Sequence, residues 1–315
     1  MLKPLFYAAI GTPLTSDESL HREGLEAHLH DQWRAGISGV LVGGTMGLMQ
    51  LLTDQTYRDL VDQAAEFTGS RGQLMVGAGD TSLARTLARI RWLNGKKLDG
   101  VVVLPPYLVR FTQAELVAYY TALADASKNP LYLYDLPVLT GTKLELESVL
   151  TLARHRNIRG IKCSCDLGWS RQLADLAPEG FEVIFAQADL VDVLLRQGLH
   201  RHLDGIFSLA PRWTVGIGAA AEARNWEQAE ALQQKLSALL RVIKRYGVFP
   251  SFTALLNARG IRGNFAPAPF RPLEPHRLAA LMAEPIVQQL LQENRLSVAA
   301  DETAAPASLS AALRR

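Results

Sequence analysis

The sequence predicts an α/β fold, a (β/α)8 TIM barrel followed by a C-terminal helical extension. Short apolar runs alternate eight times with segments of helical spacing between residues 5 and 223. The runs are apolar on both faces, which is typical of a parallel sheet covered by helices. No GxGxxG fingerprint follows any of them, which disfavours an open nicotinamide-binding sheet and favours a closed barrel.

Each predicted element follows from its residue pattern. The runs predicted as strands span 5–10, 39–44, 73–79, 99–104, 131–136, 158–165, 181–186 and 203–209. The helices that follow them are predicted at 23–35, 54–67, 82–93, 113–126, 144–153, 167–177, 190–197 and 211–223. Three further helical segments, with a Pro-rich stretch before the last, are predicted at 226–246, 250–259 and 274–292.

These elements divide the chain into three predicted parts. Residues 1–224 form the barrel and residues 225–296 form a C-terminal helical domain. Residues 297–315 are rich in Ala and Ser and have no hydrophobic periodicity, so we expect a mobile or weakly docked tail.

Composition and charge exclude several classes of partner. The formal net charge of +2 among 315 residues gives no basic surface for nucleic acid. No apolar run is long enough to cross a membrane and the N-terminus lacks a signal-peptide pattern, so we expect a cytoplasmic protein. The two cysteines, Cys163 and Cys165, fit a reducing compartment and are interpreted as small buried residues rather than metal ligands.

A single lysine interrupts the apolar run of the sixth predicted strand. Strand alternation places Gly160, Lys162 and Ser164 on one face. A buried lysine favours its neutral amine form, which is a nucleophile toward carbonyl groups. The alternative is a lysine at a strand end whose side chain extends to solvent.

Two other strand ends carry candidate functional groups, because barrel enzymes place their chemistry at the carboxyl ends of the strands. Gly44, Thr45 and Met46 lie in a Gly-rich turn after the second strand, where backbone N–H groups can bind an anion or simply make a tight connection. Tyr132 and Tyr134 are predicted to face the barrel interior. With a lysine on the adjacent strand, Tyr134 is a candidate proton shuttle rather than a packing residue.

Seven short motifs occur together in a specific order and spacing. They are Thr12-Pro13, Gly44-Thr45-Met46-Gly47 followed by Leu52-Thr53, Gly77-Ala78-Gly79-Asp80-Thr81-Ser82, Pro105-Pro106-Tyr107, Tyr134-Asp135-Leu136-Pro137-Val138-Leu139-Thr140-Gly141, Gly160-Ile161-Lys162 and Asp204-Gly205-Ile206-Phe207-Ser208. With these motifs, residues 4–291 resemble the dihydrodipicolinate synthase/N-acetylneuraminate lyase family of class I aldolases. The resemblance implies a (β/α)8 barrel with a helical C-terminal domain, assembled as a homotetramer of two dimers.

The resemblance also implies the chemistry of the site. Lys162 would form a Schiff base with a 2-keto acid such as pyruvate, Tyr134 would shuttle the proton, and Thr45 would connect Tyr134 to a proton relay. Neither a metal nor an organic cofactor is expected. The positions expected to bind substrate are Gly44, Met46, Tyr107, Leu139, Gly205, Ile206 and Phe207.

Four positions depart from the family pattern. Met46 replaces a second hydroxyl residue in the turn, and Leu48 replaces a glutamate that commonly follows it. Leu108 stands where many members have a second tyrosine, and Leu139 stands where dihydrodipicolinate synthases have an arginine for the carboxylate of the second substrate. These departures argue against condensation of pyruvate with aspartate semialdehyde.

The preferred hypothesis is therefore a lyase that cleaves, condenses or dehydrates a 2-keto-3-deoxy acid, with pyruvate-type and aldehyde partners. Three alternatives remain at this point: dihydrodipicolinate synthase proper, a catalytically impaired barrel that only binds a keto acid, and an unrelated barrel enzyme such as a phosphate-sugar isomerase. Borohydride reduction with pyruvate, followed by intact mass, distinguishes a Schiff-base protein from the last of these.

Overall fold

A computed structural model describes residues 3–296 and contains a closed parallel barrel with strand order β1 to β8. The strands are β1 (Leu5–Ala9), β2 (Gly39–Val42), β3 (Gln73–Gly77), β4 (Gly100–Val103), β5 (Leu131–Asp135), β6 (Ile158–Cys163), β7 (Glu182–Phe185) and β8 (Arg201–Asp204). The helices between and after them are α1 (Arg22–Ala35), α2 (Asp54–Thr68), α3 (Leu83–Leu93), α4 (Gln113–Ala126), α5 (Pro137–Thr140), α6 (Leu146–Leu152), α7 (Leu167–Leu176), α8 (Val191–Arg196), α9 (Ile206–Leu209) and α10 (Pro211–Glu222). The C-terminal helices are α11 (Trp226–Tyr246), α12 (Val248–Arg259), α13 (Pro275–Ala283) and α14 (Pro285–Glu293). The prediction of a (β/α)8 barrel with a C-terminal helical extension is confirmed.

The eighth strand differs from its prediction. It was expected at 203–209, but β8 ends at Asp204 and the next residues form the short helix α9. The Asp204 side chain accepts a hydrogen bond from the Ile206 N–H at 3.1 Å, and the Ser208 hydroxyl donates to the Gly205 carbonyl at 2.8 Å. These local bonds turn the chain out of the sheet, as Asp, Gly and Ser favour.

Other elements also differ from their predicted bounds. The strand predicted to end at Cys165 ends at Cys163, because Asp166 caps the following helix by accepting from the Trp169 N–H. The segment predicted as one helix at 274–292 is two helices, because Pro285 begins α14. Helix α5 was not predicted at all. The predicted tail at 297–315 lies outside the described residues.

Two tyrosines fill the amino end of the barrel interior. Tyr7 and Tyr132 are both almost fully buried, and the Tyr132 hydroxyl donates to a Glu182 carboxylate oxygen at 3.0 Å. Glycine is needed beneath each ring, since a Cβ on Gly39 would lie 2.7 Å from the Tyr7 ring and one on Gly100 would lie 2.8 Å from the Tyr132 ring. The amino end is therefore packed, and the open space of the barrel lies at the carboxyl ends of the strands.

A buried ion pair ties the C-terminal helices to the first barrel helix. Asp31 on α1 receives a hydrogen bond from Arg259 at the end of α12, and both side chains are inaccessible to solvent. Arg212 donates to the other oxygen of the Asp31 carboxylate at 3.0 Å. Removing one member of such a group leaves an unpaired buried charge, at a cost of about 3–5 kcal/mol.

Within residues 3–296, no helix has the length and apolar character needed to cross a membrane.

Candidate active site

Lys162 and Tyr134 form a direct pair at the carboxyl end of the barrel. They are register partners on the adjacent strands β6 and β5, so both side chains enter the interior side by side. Lys162 Nζ lies 2.9 Å from the Tyr134 hydroxyl oxygen, and each residue is only 4% exposed. The Tyr134 hydroxyl also lies 3.2 Å from Thr45 Oγ1. The structure thus joins an amine, a phenol and a second hydroxyl in one chain of contacts.

The turn that carries Thr45 is held from both sides. The Thr12 hydroxyl donates to the Gly47 carbonyl at 2.8 Å. On the other side, β3 approaches so closely that a Cβ on Gly77 would lie 2.0 Å from the Gly43 carbonyl oxygen. Gly43 itself has a φ of 58°, which favours glycine. This turn is therefore fixed by its neighbours before any substrate binds.

The backbone of this turn offers unused hydrogen-bond donors. Within the described part of the chain, the N–H groups of Thr45 and Met46 donate to no protein acceptor. Two successive free N–H groups in a turn form a concave site suited to a carboxylate. They lie in the same turn as the Thr45 hydroxyl that contacts Tyr134.

A second loop is anchored by residues that sequence reasoning missed. The fully buried Asp135 carboxylate, directly after Tyr134, accepts from the Leu144 N–H at 3.0 Å and pairs with Lys143. Lys143 Nζ in turn lies 3.1 Å from the centroid of the Trp169 ring. These contacts close the loop between β5 and α6, which carries Leu139 to the cavity. Hydrophobic periodicity contains no signal for such an anchor, because its charged residues are eight positions apart.

A cavity of about 580 Å³ opens above the lysine, and most of the predicted site residues line it. Those that line it are Thr45, Met46, Tyr107, Tyr134, Leu139, Lys162, Gly205 and Ile206. Two expected binding residues do not. Gly44 lies behind the turn, where a Cβ would meet the Leu41 side chain, and Phe207 is fully buried against Phe6 at a ring separation of 5.8 Å.

The backbone and side chains of the turn after β8 are engaged in contacts within the protein. The N–H of Ile206, which was expected to be a substrate-binding residue, already donates to the Asp204 carboxylate. Burial raises the pKa of Asp204, and the hydrogen bond from the Ile206 N–H acts in the opposite direction. Gly205 has no room for a side chain, since a Cβ there would lie 2.9 Å from the Met46 sulfur. Met46 therefore fills the space between the two turns.

The leucines that depart from the family pattern leave the cavity without a cation at its mouth. Lys162 is the only Lys, Arg or His among the residues within 3–296 that line the cavity. Leu139, in the place of the expected arginine, is 68% exposed at the rim. Leu108 is 88% exposed and has a φ of 79°.

The side of the cavity formed by the C-terminal helices was also missed. Helices α11 and α12 contribute five apolar residues, which are Leu240, Ile243, Val248, Phe249 and Phe252. The sequence showed that these helices exist, but their docking direction depends on long-range contacts.

No cluster of three or more His, Cys, Asp or Glu suited to a metal ion occurs in the described residues.

The fold and the site define a (β/α)8-barrel enzyme whose pocket, with its buried lysine, opens at the carboxyl ends of the strands. Residues 5–288 match the Dihydrodipicolinate synthetase family. The chain belongs to this family, as the sequence motifs implied, and is accordingly an enzyme of the lyase type.

Individual relatives carry two different activities in their names. A 4-hydroxy-tetrahydrodipicolinate synthase of Stenotrophomonas maltophilia is 35% identical over 233 residues, which cover 72% of this chain and 77% of that protein. An N-acetylneuraminate lyase of Rhizobium meliloti is 28% identical over 276 residues, or 87% of this chain and 92% of that protein.

Solved structures share the fold at lower identity. A prophage protein of the dihydrodipicolinic acid synthase family from E. coli, in complex with pyruvate, superposes with a TM-score of 0.84 at 24% identity, covering 92% of this chain and 99% of that one. A variant of the Sulfolobus solfataricus 2-keto-3-deoxygluconate aldolase gives a TM-score of 0.84 at 22% identity, covering 94% of this chain and all of that one.

Proposed function

We propose that this enzyme binds a 2-keto acid such as pyruvate as a Schiff base on Lys162 and cleaves, forms or dehydrates a 2-keto-3-deoxy acid. The observation that carries the proposal is the buried contact of 2.9 Å between Lys162 Nζ and the Tyr134 hydroxyl. A lysine amine in a pocket is a nucleophile toward carbonyls, and a phenol within hydrogen-bond reach can transfer the protons that the reaction needs.

The proposed reaction balances with these groups alone. The Lys162 amine adds to the keto carbon, and loss of water gives an iminium. Tyr134 supplies the proton for that departing water, and its phenolate oxygen then takes a proton from C3 while the iminium accepts the electron pair, which gives an enamine. In condensation, C3 of the enamine bonds to the aldehyde carbon, and the aldehyde oxygen takes a proton from Tyr134. Water then hydrolyses the new iminium and frees the lysine; cleavage is the reverse.

The turn after β2 would hold the carboxylate of the keto acid. The free N–H groups of Thr45 and Met46 replace the hydroxyl that this chain lacks at position 46. Backbone donors that are already oriented require little rearrangement when an anion binds. The Thr45 hydroxyl is left to act on Tyr134 as the next member of the relay.

Dihydrodipicolinate synthesis proper remains the second candidate, because a relative at 35% identity is named for it. Against it stands the absence of any arginine among the described residues that line the cavity. An acceptor that carries a carboxylate would be buried there without a partner, which costs several kcal/mol. A keto-acid-binding barrel without turnover is the remaining alternative, and Leu108 and Met46 are the residues in its favour.

We also propose that the chain forms a homotetramer built from dimers. The rim of the barrel beside the cavity exposes four apolar side chains on the segments that follow β4 and β5, which are Leu108, Val109, Val138 and Leu139. A group of large apolar side chains in solvent marks a protein contact surface. Sedimentation of the full chain tests the assembly, and a monomer at micromolar concentration would contradict it.

Borohydride reduction in the presence of pyruvate tests the Schiff base. The expected result is a covalent adduct, found by intact mass and located by peptide mapping on Lys162. Lys162→Ala should form no adduct, and Lys143→Ala, which removes the half-buried lysine paired with Asp135, should still form it. Absence of an adduct on the parent enzyme contradicts the proposed function. An adduct without turnover of any 2-keto-3-deoxy acid favours the binding protein.

A further inference from the structure

We infer that the second substrate of this site is an aldehyde with an apolar chain, branched or aromatic, rather than a polyhydroxylated or anionic one. The inference rests on the proposed function and specifies its partner. It comes from the distribution of polar and apolar groups within the single cavity above Lys162.

The polar groups are concentrated at the reacting carbons. Lys162, Tyr134 and Thr45 lie at the strand ends and contact one another in sequence. The new C–C bond forms at C3 of the lysine-bound enamine, and the aldehyde oxygen must lie near Tyr134 to receive its proton. The rest of the aldehyde is then directed away from the strands, toward the side of the cavity covered by α11 and α12.

That side is apolar throughout. The side chains of Leu240, Ile243, Val248, Phe249 and Phe252 face the cavity, and none of them can donate or accept a hydrogen bond. We call these five residues the helical wall. A cavity of about 580 Å³ is much larger than a three-carbon keto acid requires, so the helical wall is available to the chain of a second substrate.

Two other polar side chains of the cavity, those of Thr140 and Asp204, are already hydrogen-bonded within the protein. The Thr140 hydroxyl donates to main-chain carbonyls at Leu136 and Thr142, at 3.1 and 3.0 Å. The Asp204 carboxylate accepts a hydrogen bond from the Ile206 N–H at 3.1 Å. Gln50, Tyr107 and Ser164 make no side-chain hydrogen bond among the described residues, but they belong to the segments that follow β2, β4 and β6 and none of them lies on the helical wall.

The size of the expected preference follows from the kind of wall. Each methylene that fits an apolar pocket is worth about 10–200-fold in kcat/KM, whereas a purely apolar pocket rejects an added hydroxyl by about 100-fold. We therefore expect benzaldehyde and 3-methylbutanal to exceed glyceraldehyde by about tenfold or more in kcat/KM for condensation with pyruvate. Aspartate semialdehyde should be the poorest acceptor of the four, because its charge finds no partner in the cavity.

The experiment measures the four aldehydes with the full-length enzyme at saturating pyruvate, after the borohydride adduct with pyruvate has been tested. An apolar aldehyde that exceeds glyceraldehyde by tenfold supports the inference. Equal or better use of glyceraldehyde, or no condensation with any aldehyde although the adduct forms, overturns it and leaves the Schiff base standing. Absence of the adduct instead contradicts the proposed function, and the inference with it.

A matched pair of variants tests the helical wall. Leu240→Gln places an amide on the wall, and Leu232→Gln places the same amide on another half-buried leucine of α11 that does not line the cavity. Leu240→Gln should lower kcat/KM for the apolar aldehydes about tenfold and leave the rate of pyruvate adduct formation unchanged. Leu232→Gln should leave the aldehyde preference as it is. Equal preferences in the two variants would show that the wall does not select the substrate.

Discussion

Replacing Tyr134 with Phe tests the proposed proton transfer most directly. The substitution keeps the ring in the barrel interior and removes only the oxygen that lies 2.9 Å from Lys162 Nζ and 3.2 Å from Thr45 Oγ1. A positioned acid/base contributes about 10²–10⁴-fold to the rate, so kcat should fall by about that factor. This loss corresponds to an activation free energy higher by about 3–5 kcal/mol. Adduct formation with pyruvate should become slower but persist, because the amine remains.

Tyr132 provides the matched control for this variant. It lies on the same strand, faces the same interior and also makes a side-chain hydrogen bond, but its hydroxyl contacts Glu182 at the packed amino end of the barrel. Glu182 also contacts Arg159, so Tyr132→Phe should cost about 1 kcal/mol of stability and leave kcat unchanged. Steady-state cleavage measures kcat of both variants, and single-turnover borohydride trapping measures their rate of adduct formation with pyruvate.

The relay through Thr45 adds a second test. If Thr45 acts only through Tyr134, then Thr45→Val lowers kcat in the parent enzyme but has little further effect in the Tyr134→Phe background. Such non-additivity is the signature of groups that act as one unit. A rate for Tyr134→Phe within threefold of the parent, or an equal loss in Tyr132→Phe, would refute the assignment of Tyr134 as the proton shuttle.

Three further predictions follow from the same structure. Lys162→Ala should abolish adduct and turnover while retaining a cooperative thermal transition, because a lysine in the open part of the barrel contributes little packing; residual turnover would remove it from the mechanism. Leu139→Arg should raise kcat/KM for aspartate semialdehyde at least tenfold by supplying a cation at the rim, and an unchanged value would show that this position does not select the acceptor. Burial lowers the pKa of His28 to about 4 and that of His202 to about 3, below the 6.5 of an unfolded histidine, so stability should fall as the pH drops below about 6.5. At pH 5 each unfolded histidine binds a proton that the folded one excludes, worth about 2 kcal/mol, and His28→Gln should halve the combined loss measured by denaturant unfolding at pH 7 and pH 5.

Local pattern was sufficient to predict the barrel and the central pair of the site. Tyr134 and Lys162 could be placed on one interior surface because the two strands pair in regular register from Tyr132 and Gly160 onward, after an irregularity at the start of the pair. The predicted end of β8 was wrong because the hydrophobic residues of α9 continue the apolar run of the strand. The hydrogen bonds of Asp204 and Ser208 that start this helix cannot be detected from hydrophobicity. The Asp-Gly dipeptide at 204–205 was the available turn signal.

Other features could not be predicted because they depend on contacts between distant residues. Phe207 lies in the family motif Asp204-Gly205-Ile206-Phe207-Ser208, yet the direction of its side chain depends on contact with Phe6. Phe6 lies on β1, which pairs with β8 where the barrel closes. The positive φ of Leu108 is set by its loop and contradicts the ordinary preference of leucine. The helical wall depends on how α11 and α12 dock, and no local periodicity contains that direction.

The buried pair between Asp31 and Arg259 links residues 228 positions apart and so fixes where the helical wall lies. The proposed reacting groups belong to the strands and the turns after them, whereas the helical wall belongs to helices that follow the barrel in the chain. In the proposed reaction, substitutions on the helical wall would change the accepted aldehyde without disturbing Lys162 and Tyr134, provided that the ion pair keeps the helices in place. The residues proposed to carry the reaction and those proposed to select the substrate can therefore change independently. The Asp31–Arg259 ion pair holds the two groups in one arrangement.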